Sequence, residues 1–352
     1  MAYTTIDDPS AYFQTKTYTG TGNSHAITLD GNSDLSPNWV WIKCRDDSHN
    51  HQIFDTVRGV HKRMRTDTSG AETTSNESLK SFDSDGFTLG TQANVNAAAS
   101  GDNSFVAWNW KAGTAFSNDA SSTSVGSIDS AGSVNTDAGF SIISWTGDGN
   151  DGATIAHGLG ATPAIVITKR RDDTGDWLVG GSLINTVRGG ANSLLLLNTN
   201  AAMDSNSEVY QTFSSTTFQV GVNAYTNTNN ATMISYCFKD VQGYSKFGSY
   251  AGNGNADGAF VYTGFKPAWV MTKKTSGAAS WHMQDNKRDG FNYNNHRLFA
   301  DASGTEETTV RMDLLSNGFK YRDGDGNSGT NIYLAFADNP FVTSTGIPAT
   351  AR

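Results

Sequence analysis

The feature that most constrains this chain of 352 residues is a series of landmarks that occurs three times in the same order. Each series opens with an aromatic residue and a Gly-rich turn that ends in Asn, and it continues with a proline, an apolar run and a lysine. Repetition of this kind indicates that one structural unit is built several times along the chain. The turns lie at 18–23, 145–150 and 250–255, and the runs lie at 37–43, 163–169 and 267–273.

The second half of each series repeats as well. A ring stands eight residues after each lysine, and an arginine follows it in a turn-like setting. A short alternating strand and an aromatic-rich closing strand complete the series, so the sequence predicts internal triplication. The landmarks are the lysines Lys43, Lys169 and Lys273, the rings His51, Trp177 and Trp281, the arginines Arg58, Arg188 and Arg288, the strand openings at 86–87, 217–218 and 318–319, and the closing strands at 105–108, 233–236 and 332–336.

These landmarks divide the chain into a first unit with an N-terminal arm at 1–112, a second unit at 138–243 and a third at 244–341. The segment 113–137 is rich in Ser, Thr, Ala, Gly and Asp and contains neither Lys nor Arg, so it is a linker or an edge strand. No linker separates the second unit from the third, and we expect these two to pack closely. Residues 342–352 form a polar tail.

Composition favours strands over helices. The chain holds 37 Gly and 34 acidic residues, and only five of those acids are Glu. Glu favours helix interiors, whereas Asp and Gly favour turns. Short apolar stretches at regular spacing between such turns indicate an all-β fold of three tandem β-sandwich units, jelly-roll-like in type. Helices should be scarce.

Charge and hydropathy exclude several classes of function. A net charge of −9 leaves no basic surface for nucleic acid, and it disfavours an anionic membrane surface. No apolar run approaches the roughly 20 residues that span a bilayer, so we expect no membrane insertion. Residues 1–10 have neither a basic start nor an apolar stretch, which predicts a chain without a signal peptide that folds in a cytoplasm. Cys44 and Cys237 fit two reduced core thiols.

Six stretches of the chain together resemble a domain of unknown function that recurs in virion structural and tail-fibre-like proteins of marine bacteriophages. The resemblance runs from about residue 5 to the C-terminus. It implies a component of a phage particle with lectin-like β-sandwich modules, and it carries over no catalytic residue. The stretches are IDDPSAYFQTKTYTGTG at 6–22, FVAWNWKAG at 105–113, IAHGL at 155–159, GYSKFGSY at 243–250, GFKPAWV at 264–270 and YLAFADNPFVTSTGIPATAR at 333–352.

The three repeated rings are candidates for glycan binding. Apolar faces of sugars stack on aromatic side chains, and polar loops beside the rings would bond to the hydroxyl groups. His51, Trp177 and Trp281 occupy equivalent positions next to such loops. The alternative is that they are half-buried strand residues which cover each sandwich. For the repeated lysines and arginines we expect ion pairs with local Asp that fix loops.

The run 323–327, Asp-Gly-Asp-Gly-Asn, resembles the start of a calcium loop, in which alternating oxygens share one cation. Asp323, Asp325 and Asn327 are the candidate ligands, but Leu334 stands where such loops place their distal Glu. The same run is also typical of an ordinary hairpin turn. His49 and His51 have no third ligand nearby, and we expect no other metal and no cofactor.

Paired aspartates at 46–47 and 172–173 are the candidate catalytic carboxylates. A glycosidase needs two carboxyl groups about 5–10 Å apart across the sugar. Neighbouring Asp side chains in a loop point apart, and Thr275 and Ser276 stand at the matching place in the third unit. We therefore expect solvated turns and no enzymatic activity.

Together these observations predict a non-enzymatic bacteriophage virion protein that forms an exposed appendage, such as a tail fibre or spike. The expected partners are other virion proteins, further copies of the same chain and glycans of the host cell surface. A trimer is an expectation from the resemblance only. Two alternatives stay open: a capsid decoration or head-fibre protein with a purely structural role, and a depolymerase of surface polysaccharide.

Overall fold

The computed structural model describes residues 2–98 and 103–348. Strands make up 44% of the structure and helices 5%, so the prediction of an all-β fold with few helices is confirmed. The strands form three larger antiparallel sheets, and a smaller sheet of three strands packs on one face of each. We call each combination a sheet pair and number the three pairs in chain order.

The first sheet pair comprises β1 to β9. Its larger sheet has the strand order β1-β9-β3-β4 and its smaller sheet the order β2-β8-β7, while β5 and β6 form a separate ribbon. The elements are a 3-10 turn (Pro9–Ala11), β1 (Phe13–Thr19), β2 (His25–Thr28), β3 (Trp39–Cys44), β4 (Gln52–Asp55), β5 (Lys62–Arg63), β6 (Thr73–Thr74), β7 (Leu79–Asp83), β8 (Gly86–Leu89), α1 (Ala93–Asn96) and β9 (Ser104–Trp110).

The segment between the first two series of landmarks forms edge strands, not a linker. It contains β10 (Thr114–Asn118), α2 (Ala120–Thr123) and β11 (Ser130–Asn135). The strands β10 and β11 pair with each other, and β11 also pairs with β12, the first strand of the second sheet pair. This segment therefore widens the larger sheet of the second pair.

The second sheet pair continues from β12 to β20. Its larger sheet runs β10-β11-β12-β20-β14-β15-β16-β17 and its smaller sheet β13-β19-β18. The elements are β12 (Phe140–Thr146), β13 (Ala153–Ala156), β14 (Ile165–Arg170), β15 (Leu178–Gly180), α3 (Ser182–Arg188), β16 (Ser193–Leu196), β17 (Asp204–Ser205), β18 (Tyr210–Phe213), β19 (Thr217–Val220) and β20 (Thr232–Phe238).

The third sheet pair has a larger sheet in the order β21-β28-β23-β24-β25 and a smaller sheet in the order β22-β27-β26. In all three pairs the closing strand lies between the first strand and the strand of the apolar run. The elements are β21 (Ser245–Asn253), β22 (Phe260–Tyr262), β23 (Phe265–Lys274), β24 (His282–Asp285), β25 (Leu298–Phe299), β26 (Met312–Leu315), β27 (Gly318–Tyr321) and β28 (Ser328–Pro340).

Strand β3 shows why the apolar runs are continuous. All six of its residues are buried, because both faces of the larger sheet are covered. Val40 and Ile42 point into the core between the two sheets of the first pair. Trp39 and Trp41 point the opposite way, into a core shared by all three sheet pairs. A strand with two buried faces has no polar alternation, and the run therefore reads as uniformly apolar.

The shared core joins the three sheet pairs through stacked aromatic rings. Trp39 of the first pair stacks on Tyr236 of the second, with ring centroids 4.6 Å apart. Phe13 of the first pair stacks on Phe336 of the third at 5.2 Å. Phe238 of the second pair lies 5.9 Å from the same Phe336. The molecule thus has one core inside each sheet pair and a fourth core between them.

The N-terminal arm packs on the third sheet pair, at the other end of the chain. The Tyr3 hydroxyl donates to the Gly264 carbonyl at 2.7 Å, and the Thr4 hydroxyl donates to the Gln242 carbonyl at 2.7 Å. Ser344 N donates to the Asp7 carboxylate at 2.6 Å, so the two described ends of the chain meet. Together with the ring contacts of the shared core, this closes the three pairs into a cycle.

Candidate functional site

The three rings predicted to face a glycan lie inside the molecule. His51, Trp177 and Trp281 each have no exposed surface. Each ring N–H donates to a backbone carbonyl of the neighbouring sheet pair, and the direction is the same around the cycle. The bonds run from His51 Nε2 to Phe299 O at 2.8 Å, from Trp177 Nε1 to Arg65 O at 2.7 Å and from Trp281 Nε1 to Leu196 O at 2.8 Å.

This placement contradicts the prediction of a sugar-stacking surface at these residues. A ring that stacks on a sugar has to be reached from solvent, and these rings are covered by the next sheet pair. The alternative interpretation, strand residues that cover a sandwich, agrees better with this burial. However, each ring packs against a neighbouring sheet pair and does not cover its own. Their recurrence reflects a contact that is made three times.

His51 is held as the neutral imidazole. Trp41 Nε1 donates to His51 Nδ1 at 2.7 Å, and Phe299 O accepts from Nε2. Since an indole nitrogen only donates and a carbonyl only accepts, the proton of the neutral ring lies on Nε2. Burial, together with the nearby Lys43, lowers the pKa of His51 to about 3. This ring is therefore a structural donor throughout the neutral range.

The repeated lysines are buried as well, and they bond to carbonyls instead of pairing with local Asp as expected. Burial lowers the pKa of each to about 8. Each Nζ donates to the carbonyl of the next residue and to a second carbonyl, which in two cases belongs to the preceding sheet pair. The acceptors are Cys44 and Asp47 for Lys43, Arg170 and Ser69 for Lys169, and Lys274 and Asn200 for Lys273.

Arg58 forms the centre of a charge network between the first and second sheet pairs. Its guanidinium pairs with Asp55 and, at 3.3 Å, with Glu72. Arg171 of the second pair binds Glu72 through two bonds of 3.0 and 3.1 Å, and the Tyr236 hydroxyl donates to Asp55 at 2.6 Å. Burial alone would lower the pKa of Arg58, but the surrounding acidic groups raise it above its ordinary value.

Arg288 forms the same network between the third and first sheet pairs. It pairs with Asp285 at 2.7 Å and with Glu306 at 2.8 Å. Arg45 of the first pair binds Glu306 through bonds of 3.1 and 2.8 Å, and Trp108 Nε1 donates to Asp285 at 3.0 Å. The expected pairing of the repeated arginines with local Asp is confirmed at Arg58 and Arg288.

The junction between the second and third sheet pairs lacks this network. One backbone hydrogen bond is nevertheless present at all three junctions. Met203 N donates to Thr275 O at 3.1 Å here, as Glu72 N donates to Arg171 O and Glu306 N donates to Arg45 O at the other two. Gly181 stands where strand register would place the acceptor Asp. Leu334 stands where it would place the donor ring. Arg188 is exposed and donates to the Met203 carbonyl at 3.4 Å. Among the described residues it forms no ion pair with an Asp, so the prediction of such a pair is wrong at this position.

A buried asparagine fixes each Gly-rich turn, and this role was not predicted from the sequence. Its side-chain nitrogen donates to the carbonyl of the asparagine that ends the turn. The bonds run from Asn96 to Asn23 at 2.5 Å, from Asn227 to Asn150 at 2.8 Å and from Asn327 to Asn255 at 3.1 Å. The available signal was a recurring Asn shortly before each closing strand.

This role bears on the predicted calcium ligands. Asn327 is occupied by its turn, and the Asp325 carboxylate pairs with Arg297 at 2.8 Å. Asp323 accepts from the Asp325 backbone at 3.1 Å, as in an ordinary turn. Within residues 2–98 and 103–348, no group of three or more His, Cys, Asp or Glu side chains is placed to hold a metal ion.

The candidate catalytic carboxylates lie in exposed loops between antiparallel strands. Asp46 accepts from the Ser104 backbone at 2.8 Å, and Asp47 accepts from the adjacent Ser48 backbone at 2.6 Å. Asp172 and Asp173 pair with Arg170, at 2.9 and 3.5 Å. Asp46 thus ties its loop to β9, and the other three carboxylates make local contacts.

Exposed aromatic residues concentrate on the third sheet pair. Phe291 is 77% exposed, Tyr262 54%, and Phe260 and Tyr293 47% each. Phe291 stands at the rim of a groove of about 390 Å³. The groove is lined by amide, carboxylate and ammonium groups, principally Lys266, Asn286, Lys287, Asp289, Asp338 and Asn339.

A larger cleft of about 1150 Å³ lies between the first sheet pair and the edge strands β10 and β11. Small side chains such as Ala115, Ser117, Ala131 and Ser133 form most of its floor. Phe116 packs against the core of the second sheet pair. Trp145 also lines the cleft but is buried, and Phe116 is only partly exposed. Because no ring of the cleft is exposed to the extent of Phe291, the groove beside Phe291 is the better candidate site.

A family model covers nearly all of this architecture. It matches residues 8–340, which include all three sheet pairs, and its description is "Domain of unknown function (DUF7483)". The chain belongs to this family. No curated protein and no solved structure matches the chain. Among the described residues, no helix is long and apolar enough to cross a bilayer.

Proposed function

We propose that this protein is a non-enzymatic structural component of a bacteriophage particle, placed as an exposed appendage such as a tail fibre or spike. The observation that carries the proposal is the closed cycle of buried contacts among the three sheet pairs. It gives a rigid body in which the repeated charged and aromatic residues serve assembly of the chain itself. The resemblance to virion proteins of bacteriophages supports the assignment to a phage particle.

The distribution of ionisable groups supports a structural role. The buried pairs around Arg58 and Arg288 are saturated by partners on two sheet pairs. The Asp pairs of the loops accept from backbone N–H groups or pair with a neighbouring arginine. A catalytic carboxylate has to meet substrate in a cleft. The carboxylates of the first set are buried against arginines, and those of the second lie in exposed loops.

We further propose that the three sheet pairs descend from one unit by internal triplication. The shared strand order and the three equivalent ring contacts support this proposal. The backbone hydrogen bond that recurs at all three junctions supports it as well. A jelly-roll connection within each pair remains a prediction.

Self-association remains part of the proposal. When a head-to-tail contact closes after three steps, as in a cyclic trimer, each unit uses both of its contact surfaces and none is left free. Here one chain makes all three steps, so a partner virion protein or further copies would bind to the outer surfaces. Contact with host glycans requires a surface other than the one around His51, Trp177 and Trp281.

The test is immunogold labelling of purified particles from a phage that encodes this chain, with mass spectrometry of the same particles. We expect the chain in intact particles and gold on a tail or spike. Gold on the capsid alone would contradict the appendage, and a chain absent from washed particles would contradict the structural role.

A further inference from the structure

The loop that follows Arg288 differs from its counterparts in the other two sheet pairs. Nine residues separate Arg288 from Leu298, whereas five separate Arg58 from Met64 and six separate Arg188 from Leu195. Leu298, Met64 and Leu195 are equivalent, because each pairs with the matching strand of its larger sheet. The extra residues of the third pair therefore form an insertion.

This insertion carries Phe291 and Tyr293. It extends the smaller sheet of the third pair, since Asn294 bridges to Met312 in β26. Leu314 N donates to Asn292 Oδ1 at 2.9 Å and fixes the loop beside Phe291. Contacts shared by the three pairs explain folding, but they do not explain an anchored loop that presents a ring to solvent. An aromatic side chain beside a few placed polar groups is typical of a ligand site.

The groove beside the ring is organised by Asp338. Its carboxylate binds Lys266 at 2.8 Å and accepts from the side-chain nitrogens of Asn286 and Asn339, both at 3.0 Å. Within the described parts of the chain, the side-chain oxygens of these two asparagines accept no hydrogen bond. They are fixed acceptors, and the Lys266 ammonium has further protons to donate.

The groove continues across a junction between sheet pairs. A second cleft of about 240 Å³ shares Asn286, Lys287, Asp338 and Asn339 with it, and reaches Gln14, Asp30, Gly31 and Asn32 of the first pair. The long shape suits a chain of several sugar units. Lys287 pairs with Asp30 across this boundary at 3.2 Å, so the two walls are held together.

We propose that the groove beside Phe291 binds a neutral oligosaccharide. A sugar offers apolar C–H faces for a ring and paired hydroxyl groups for amides, carboxylates and ammonium groups. The groove has both features side by side. Its charges are mixed and the whole chain carries a net charge of −9, which disfavours polyanionic glycans. This inference rests on the exposed role proposed above, and it names the class of ligand.

The probe is an array of neutral gluco-, galacto- and manno-oligosaccharides, with sulfated and uronate-containing glycans for comparison. The best neutral ligand is then titrated calorimetrically against the full chain. We expect Phe291→Ala to weaken binding about tenfold or more. Tyr262→Ala removes another exposed aromatic of the same sheet pair that lies outside the groove, and we expect it to bind like the wild type. Melting temperatures verify that both variants are folded.

An array without a neutral ligand, or with charged ligands only, would overturn the proposal. So would Phe291→Ala with unchanged affinity, or an equal loss for Tyr262→Ala. The particle location separates this failure from that of the structural role. If the chain is found on the particle but binds no glycan, only the proposal for the groove is contradicted. If the chain binds a glycan but is absent from particles, only the structural role in the particle is contradicted.

Discussion

Position 51 carries a histidine where tryptophan stands at 177 and 281, and a neighbouring tryptophan compensates for the smaller ring. Trp41 fills the space that Ile167 and Met271 occupy in the other two larger sheets. In the first pair the indole therefore comes from β3 and the smaller ring from the loop before β4. The N–H to the neighbouring carbonyl is kept in all three cases. A buried contact thus constrains volume and donor count more than residue type.

The neutral state of His51 predicts a dependence of stability on pH. Its pKa is about 3 in the folded chain, against an ordinary 6.5. Between these values the unfolded chain binds a proton that the folded chain does not, so the free energy of unfolding falls as the pH is lowered from 6.5. Lowering the pH to about 4.5 should remove on the order of 2 kcal/mol through this residue.

The measurement is chemical denaturation of the wild type and of His51→Gln from pH 7 to pH 4.5. Glutamine can accept from Trp41 and donate to Phe299 without titrating. The variant should lose less stability over this range than the wild type. Equal pH slopes for the two proteins would contradict the assignment of a buried neutral His51.

At the scale of the elements, the junctions between sheet pairs combine a constant part with a variable part. The backbone bond recurs at all three, whereas the buried charges occur at two. A partly replaced network would leave an unpaired buried charge, which costs several kcal/mol. The junction between the second and third sheet pairs avoids this cost. Arg188 is exposed there, and every other member of the charge network is replaced, by Gly181, Met203, Thr275 and Leu334.

Removing one member of an intact network should therefore be costly. Glu72→Gln keeps the shape of the side chain but leaves Arg58 and Arg171 with one carboxylate fewer, and we expect a loss of about 3 kcal/mol in the free energy of unfolding. Glu77→Gln is the matched control, because Glu77 pairs with Lys80 on the surface and both side chains are largely exposed. The control should change by less than about 1 kcal/mol. Urea denaturation measures both, and similar losses would contradict the buried network.

Much of the strand arrangement was predictable at this scale, since the openings at Gly86, Thr217 and Gly318 each begin a strand. The closing strands at 105–108, 233–236 and 332–336 lie within β9, β20 and β28. The covering of Trp177 and Trp281 was not predictable. A local pattern shows that a ring is apolar and recurrent, but it does not show whether solvent or a distant part of the chain lies over it. The rarity of Glu was a usable signal, because Glu72 and Glu306 hold equivalent places in two networks.

At the scale of the whole molecule, the core between the sheet pairs dominates the aromatic content. Seven of the eight tryptophans belong to it, and only Trp145 lies inside a single sheet pair. Separating one pair from the others would expose large rings and the buried arginines to water. The three pairs should therefore unfold together, although each also has a core of its own.

Differential scanning calorimetry of the full chain tests this cooperativity directly. If the three sheet pairs form one closed body, the calorimetric enthalpy should equal the van't Hoff enthalpy, with a ratio close to unity in a single transition. Three independent sandwiches would instead give separate transitions or a ratio of roughly 3. A ratio near unity is the result that the closed cycle predicts, and a ratio near three would contradict it.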